Sequence, residues 1–332
     1  MAETTGWGIL ATGKIATSFA SDLREVPGAR LAAVGSRTTG SAQAFADEYG
    51  GPDCHAHASY ADLVADPSVD VVYVATPHSM HLENARLALE AGKHVLCEKP
   101  LTLNTAEAEV MIGLARAHDR FLMEAMWMAT HPVIRGVRDG FAAGRFGTPR
   151  VVHAEIGFAV DRPHTDRLLD PQLGAGALLD MGVYTLTLAD LVLGPARDLH
   201  GAATLNDDGV DTAIAISGRH DGGVSALTAT IAAYSAVTAT IATDTGRVDL
   251  PTGFFNPPSA TWVPHDGEPV EISGVEPLLG KGLGNEAAEV QRCLAAGLRE
   301  SPLVPHEQTL RILRQMDDLR RQVGLVYPGE QH

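Results

Sequence analysis

The chain has 332 residues, more than one typical domain, and its 45% apolar and 20% charged content excludes both disorder and collagen-like repetition. Lys plus Arg total 25 against 41 Asp plus Glu, a net charge of −16, which makes nucleic acid and membrane surfaces poor partners. A small phosphorylated ligand stays open, because one local basic site can hold it against the global field.

Apolar runs such as residues 69–75 fall far short of the ~20 residues needed to span a bilayer. The first residues lack a basic-then-apolar leader pattern. Three cysteines at wide spacing, Cys54, Cys97 and Cys293, fit neither a disulfide framework nor a two-by-two zinc pattern. A reducing cytoplasm is the expected location. Cys97, in an apolar run, reads as a small core residue.

In chain order, residues 7–11 read as a buried strand, 14–26 as a helix, 30–35 as a strand and about 41–49 as a helix. Residues 69–75 form another buried strand, followed by a helix at 81–91, a strand at 93–98 and a helix at 105–118. This alternation implies a parallel, doubly wound sheet, whose ligands sit at the carboxyl ends of its strands. After about residue 125 the pattern changes: a helix at 132–143, an alternating strand at 150–158, and a helix opening at Gly174-Ala175-Gly176 and running to about 193. From 200 to 250, β-prone runs are separated by Asp-Asp-Gly, Asp-Gly-Gly and Asp-Thr-Gly turns, the grammar of a mostly antiparallel sheet. Helices at 285–298 and 307–323 close the chain. The expected organisation is a Rossmann domain over residues 1–125 and an α+β domain over 126–332.

The first strand runs into Ala11-Thr12-Gly13-Lys14-Ile15-Ala16. Against the dinucleotide pattern G-x-G-x-x-G, alanine replaces the first and third glycines. Gly13, which lets the backbone approach a pyrophosphate, is kept, and the following helix N-terminus supplies partial positive charge. The second strand ends in Gly35-Ser36-Arg37, a hydroxyl and a guanidinium where NAD-specific chains carry an acid; this favours NADP over NAD.

Glu98-Lys99-Pro100 follows a buried strand and sets a lysine at the cofactor's ring end, where it can donate to a substrate oxygen. Asp180 and Tyr184 are four apart, a spacing that puts a carboxylate and a phenol on one helix face. A phenol titrates near pH ~10, so a nearby cation is needed for it to move protons near neutrality. His55 and His57 are two apart, and His78 and His81 three apart. Neither pair has an acidic partner in its own motif, so no metal is expected.

Together, the cofactor loop, Glu98-Lys99-Pro100 and the Gly174-to-Tyr184 segment resemble the Gfo/Idh/MocA oxidoreductase family. Tyr184, where inositol dehydrogenases carry His, points to the branch of dihydrodiol and NADP-dependent D-xylose dehydrogenases. The resemblance extends through residues 121–127, 154–158, 245–249 and 300–302, so it covers nearly the whole chain. It implies that Ala11, Thr12, Gly13, Lys14 and Ile15 hold the pyrophosphate and that Ser36 and Arg37 read the 2′-phosphate. Thr76, Pro77, His81, Glu98 and Lys99 would line the cofactor. Lys99 and Tyr184 would flank the reacting carbon, Asp180 would orient a substrate hydroxyl or the lysine, and Trp127 and Phe158 would wall the substrate pocket. Dimers or higher homo-oligomers, through the outer face of the second-domain sheet, are also implied. One departure is the stretch after Trp127, which lacks the Arg-aromatic pair usual in this branch. A catalytically silent regulator and an NAD-assisted glycoside hydrolase are the alternatives; the Lys99, Asp180 and Tyr184 set favours a dehydrogenase of sugars, polyols or vicinal diols.

Overall fold

The computed structural model describes residues 4–161, 163, 166–327 and 330. The chain forms two compact units, Met1–Thr130 with Leu278–Leu310, and His131–Pro277 with Arg311–His332.

The first unit alternates strand and helix: β1 (Thr5–Leu10), α1 (Lys14–Leu23), β2 (Ala29–Gly35), α2 (Thr39–Tyr49), β3 (His55–His57) and α3 (Tyr60–Ala65). It continues with β4 (Val71–Val74), α4 (His81–Glu90), β5 (His94–Glu98), α5 (Thr105–Ala117), β6 (Leu122–Ala125) and the short α6 (Trp127–Thr130). The sheet order is β3-β2-β1-β4-β5-β6 and every pairing is parallel. Strands covered on both faces must be apolar throughout, which is why β4 is buried along its whole length. Phe19 on α1 stacks on Tyr73 of β4 with ring centroids 3.8 Å apart and tilts against Trp7 of β1 at 5.4 Å. Helix α1 stops at Leu23 rather than at residue 26: past it, Glu25 N–H and Val26 N–H turn back to the Asp22 and Leu23 carbonyls in tighter three-residue turns ahead of Pro27.

The second unit begins with α7 (Pro132–Ala142) and β7 (Pro149–Gly157), and its core helix is α8 (Val183–Leu193). The remaining strands are β8 (Ala196–Leu205), β9 (Asp211–His220), β10 (Gly223–Thr230), β11 (Ala239–Thr243), β12 (Gly246–Leu250), β13 (Ala260–Pro264) and β14 (Val270–Ile272). They form one sheet, β14-β13-β12-β11-β7-β10-β9-β8, antiparallel except for the β7–β10 pair. Strict alternation along β9 and β10 buries Ile214, Ile216, Leu227 and Ala229 and exposes Ala215, Ser217, Ala226 and Thr228. The segment Pro171–Leu193 has the length and apolarity of a membrane span, and its most apolar 18-residue stretch is 83% buried within the fold.

Helices α9 (Leu283–Ala295) and α10 (His306–Val323) follow, and α9 belongs to the first unit. A single cut after residue 125 therefore does not divide the chain. The return is fixed by chemistry: the buried Asp22 carboxylate at the end of α1 accepts the Lys281 and Leu283 N–H groups at 2.8 and 3.0 Å. The Trp7 indole donates to Gln291 on α9 at 3.3 Å, and Leu283, Ala287 and Val290 bury the helix's apolar face.

Candidate active site

The carboxyl ends of β1, β2, β4 and β5 carry the residues expected to hold a dinucleotide. Beyond each strand the backbone stays pinned to its neighbour. Ala11 N–H donates to Gly35 C=O at 2.9 Å, Ala75 N–H to Leu10 C=O at 3.1 Å, and Ser36 N–H to His57 C=O at 3.1 Å. Ala11, at the position of the first fingerprint glycine, takes φ 80°, so the tight turn survives with a strained alanine. Gly13 is extended, with φ −79° and ψ −179°, and a Cβ built there would meet nothing within 4 Å. Neither its conformation nor its own fold requires glycine; the space above it fits a phosphate-bearing cofactor. Helices α2, α3 and α5 are capped by Thr38, Ser59 and Asn104, whereas α1 has no side-chain cap and no acid in its first turn. Its free N–H groups suit a pyrophosphate. Lys14 and Arg37 are both exposed.

At the end of β4, the Thr76 hydroxyl accepts from Asn84 at 3.1 Å, and Pro77 beside it is half-buried. His81, expected to line the cofactor, has no exposed surface. Its Nε2 faces the Thr76 carbonyl at 3.0 Å and its Nδ1 faces the Pro100 carbonyl at 3.1 Å, and burial pushes its pKa down to about 4. The ring ties the Thr76-Pro77 turn to the Lys99-Pro100 turn from beneath, so it shapes the two turns rather than presenting an atom to a ligand.

Lys99 is half-buried at the end of β5, and its peptide with Pro100 is cis. Its N–H donates to Glu98 Oε2 at 3.1 Å, and Glu98 Oε1 accepts from the buried Tyr73 hydroxyl. Glu124 on β6 accepts Leu101 N–H at 3.1 Å and the Thr309 hydroxyl at 2.7 Å, which fixes the chain just past Pro100. Glu286 on α9 is fully buried with neither carboxyl oxygen hydrogen-bonded. Burial first, then the negative charges of Glu98 and Asp22, push its pKa well above the usual carboxylate value. Glu124, although inside the 121–127 stretch of the resemblance, and Glu286 were not singled out from the sequence, because the groups that surround them lie far along the chain. Cys97 is fully buried and burial raises its thiol pKa, in keeping with a core residue.

In the second unit, the helix expected from Gly174 is built in pieces: a 3₁₀ turn at Pro171–Leu173, a π turn at Leu178–Gly182, then α8. The π turn carries Asp180, and Tyr184 lies in the first turn of α8. Gly176 adopts φ 121°, and a Cβ there would sit 1.9 Å from Asp211 Oδ1. Asp211 Oδ2 accepts Leu178 N–H at 2.6 Å and caps the π turn. Asp180 Oδ1 accepts from the Arg167 guanidinium at 3.0 Å. The Tyr184 ring stacks on Phe255 with centroids 4.9 Å apart. In this unit Arg167, Asp211 and Phe255 are the residues that sequence reading missed; of these, only Phe255, in the pair Phe254-Phe255, left an aromatic signal. Phe158, at the end of β7, is 38% exposed; Trp127, half-buried on α6, belongs to the first unit.

Residues 5–126 match the model of an oxidoreductase family with an NAD-binding Rossmann fold, and residues 134–249 match the GFO/IDH/MocA C-terminal domain. The chain belongs to the Gfo/Idh/MocA oxidoreductase family. Over 341 aligned residues it is 32% identical to trans-1,2-dihydrobenzene-1,2-diol dehydrogenase of Mus musculus, with 98% of each chain covered. Over 371 aligned residues it is 33% identical to the D-xylose 1-dehydrogenase (NADP(+)) of Hypocrea jecorina, covering 98% of this chain and 93% of that one. Among solved structures, a 3-ketoreductase from Actinomadura kijaniata in complex with NADP and TDP-benzene superposes with a TM-score of 0.84 at 26% identity, over 97% of this chain and 98% of that one. As a Gfo/Idh/MocA member, the chain is an NAD(P)-dependent oxidoreductase acting on CH–OH groups. The uncapped α1 N-terminus and the open space at Gly13 fit that cofactor.

Proposed function

We propose that this oxidoreductase is an NADP-dependent dehydrogenase of sugars, polyols or vicinal diols, with Lys99 and Tyr184 acting on the same substrate hydroxyl. The observation that carries the reading is Lys99 at the end of β5, beside a dinucleotide cradle, in a chain whose second unit builds a dedicated turn for Asp180 and Tyr184. A binding-only regulator needs the cradle but no such set. When bound, NADP+ would supply the hydride acceptor for the carbinol carbon, and NADPH would supply the donor in the reverse direction. Tyr184 takes the hydroxyl proton as the carbinol becomes a carbonyl, and the Lys99 ammonium stabilises the phenolate. Asp180, held by Arg167, orients a second hydroxyl. Trp127 and Phe158 supply apolar surface to the substrate.

The choice of NADP is supported by Ser36 and the exposed Arg37 at the end of β2, and by the cofactor named for the Hypocrea relative. Arg37→Ala should weaken NADP binding by roughly ten- to a hundred-fold, the worth of a charge-assisted hydrogen bond, and leave NAD binding almost unchanged. Lys99→Ala should spare NADP affinity and abolish turnover. Reduced-nicotinamide absorbance across a panel of aldoses, polyols and dihydrodiols, with fluorescence titration of both cofactors, checks the three statements together. A wild type that binds NAD as tightly as NADP refutes the role of Arg37, and silence on every substrate with NADP bound refutes the activity. A reducing cytoplasm and a homodimer built on the outer face of the second-unit sheet complete the proposal.

A further inference from the structure

We propose that His55, His57 and Asp66 form a binding site for one divalent late transition ion, zinc by preference, at the β3 edge of the first unit. Strand β3 is three residues long and pairs only with β2, so it is the edge of the six-stranded sheet. Alternation along a strand sends residues two apart to the same side, so His55 and His57 present both imidazoles together. The acidic partner missing from their own motif arrives from the end of α3. Asp66 Oδ2 lies 2.6 Å from His55 Nδ1 and 2.9 Å from His57 Nε2, and the three candidate ligand atoms lie within 4.8 Å of one another.

The second carboxylate oxygen is already committed. Asp66 Oδ1 accepts the Ser68 N–H at 2.8 Å and the Ser68 hydroxyl at 2.6 Å, which fixes the carboxylate plane and leaves Oδ2 for a ligand. Two imidazole nitrogens and one carboxylate oxygen make a donor set that suits zinc rather than calcium or magnesium, which prefer oxygen alone. Around zinc bonds of about 2.0–2.1 Å in a tetrahedron, ligand atoms stand about 3.3 Å apart, so the two Asp66–histidine separations have to open by less than ~1 Å. The Asp66 side chain is 3% exposed, His57 23% and His55 56%, which gives a rigid floor, a solvent-facing lip and room for water at the fourth position.

The sheet order places β2, β1 and β4 between β3 and β5, whose end at Glu98 is followed by Lys99. The ion is therefore separate from the proposed chemistry and serves to tie the edge strand to the end of α3. Because His57 C=O also accepts Ser36 N–H, the tie reaches the turn that carries Arg37.

The test is calorimetric titration of the chelator-dialysed full chain with Zn²⁺, and with Co²⁺ followed by its visible ligand-field bands. Expected are one ion per chain, tetrahedral-type cobalt bands and a higher thermal midpoint on adding zinc. His55→Ala, at an exposed position on the edge strand, should lose at least about tenfold in zinc affinity, as should Asp66→Asn; Ser68→Ala should lose a smaller factor. Cys54→Ser should bind as the wild type does, since the Cys54 thiol faces Gly50 on the α2 side. Absence of saturable binding overturns the proposal, as does binding that His55→Ala leaves unchanged or that Cys54→Ser removes.

Discussion

Gly13 and Ala11 stand two residues apart in the cofactor turn, and each breaks the usual reason for its residue type. Ala11 holds a left-handed φ at a cost of about 1–2 kcal/mol, while Gly13 occupies a conformation any residue can adopt. The fold alone accounts for neither. An empty space above Gly13, at an uncapped helix start, means that a methyl group there would contact only the cofactor. Gly13→Ala should keep its stability within about 1 kcal/mol, because reduced unfolded-state freedom offsets the poorer N-cap. The same variant should lose at least about tenfold in dinucleotide affinity as the methyl meets the pyrophosphate. Urea unfolding and cofactor titration read the two effects separately. Equal affinity would mean that Gly13 is not where the phosphates lie.

At the scale of elements, the decisive piece is the π turn at Leu178–Gly182. This wider turn carries Asp180 and leads into α8, and Asp211 holds its start. Asp211 is fully buried, one of its oxygens has no hydrogen-bond partner among the described residues, and Arg320 and Tyr327 are among the charged and titratable groups acting on it. Burial pushes its pKa up to about 7, against the lowering effect of backbone hydrogen bonds and Arg320. Between roughly pH 4 and 7 the folded chain thus keeps a proton that the unfolded chain has released, so stability falls as pH rises through that window and levels above it. The shift corresponds to at most about 4 kcal/mol, and Asp211→Asn should remove it. Urea unfolding at about pH 5 and about pH 8 should show the wild type losing stability relative to Asp211→Asn; a constant difference between the two chains refutes this role. The sequence showed the alternation of the first unit because buried parallel strands read as continuous apolar runs, and it showed the hairpins of the second through their Asp-Gly turns. It could not show the three-residue β3, the break of the expected 174–193 helix into a π turn and α8, or the return of α9 to the first unit. Those depend on partners far along the chain: Asp211 under Gly176, Asp22 at the start of α9, Arg167 on Asp180. Lys99, Asp180 and Tyr184 were legible as motifs, whereas the groups that hold them in place were not.

For the molecule as a whole, a net charge of −16 opposes self-association, so a homodimer needs a face where that charge is thin. The outer face of the second-unit sheet meets that condition. It presents a depression of about 820 Å³ lined by His153, Glu155, His200, Ala202, Ala215, Ser217, Ala226, Thr228, Thr238 and Thr240, with Glu155 the one acidic side chain among the lining residues. Small side chains on β7, β9 and β10 let a second sheet approach to packing distance, about 10 Å in face-to-face sheets, without long side chains to fold away. Val224, 48% exposed on β10, adds apolar area to the same strand. The wild type is therefore expected to sediment as a dimer at micromolar concentration, and Ala226→Arg, which places a long cation in the centre of the face, should sediment as a monomer. Because Ala226 lies on the exposed side of β10, away from Asp180 and Tyr184, the monomer should still bind NADP. A wild type that is monomeric, or an Ala226→Arg chain that remains dimeric, would show that this face stays open to solvent and that any assembly uses another surface.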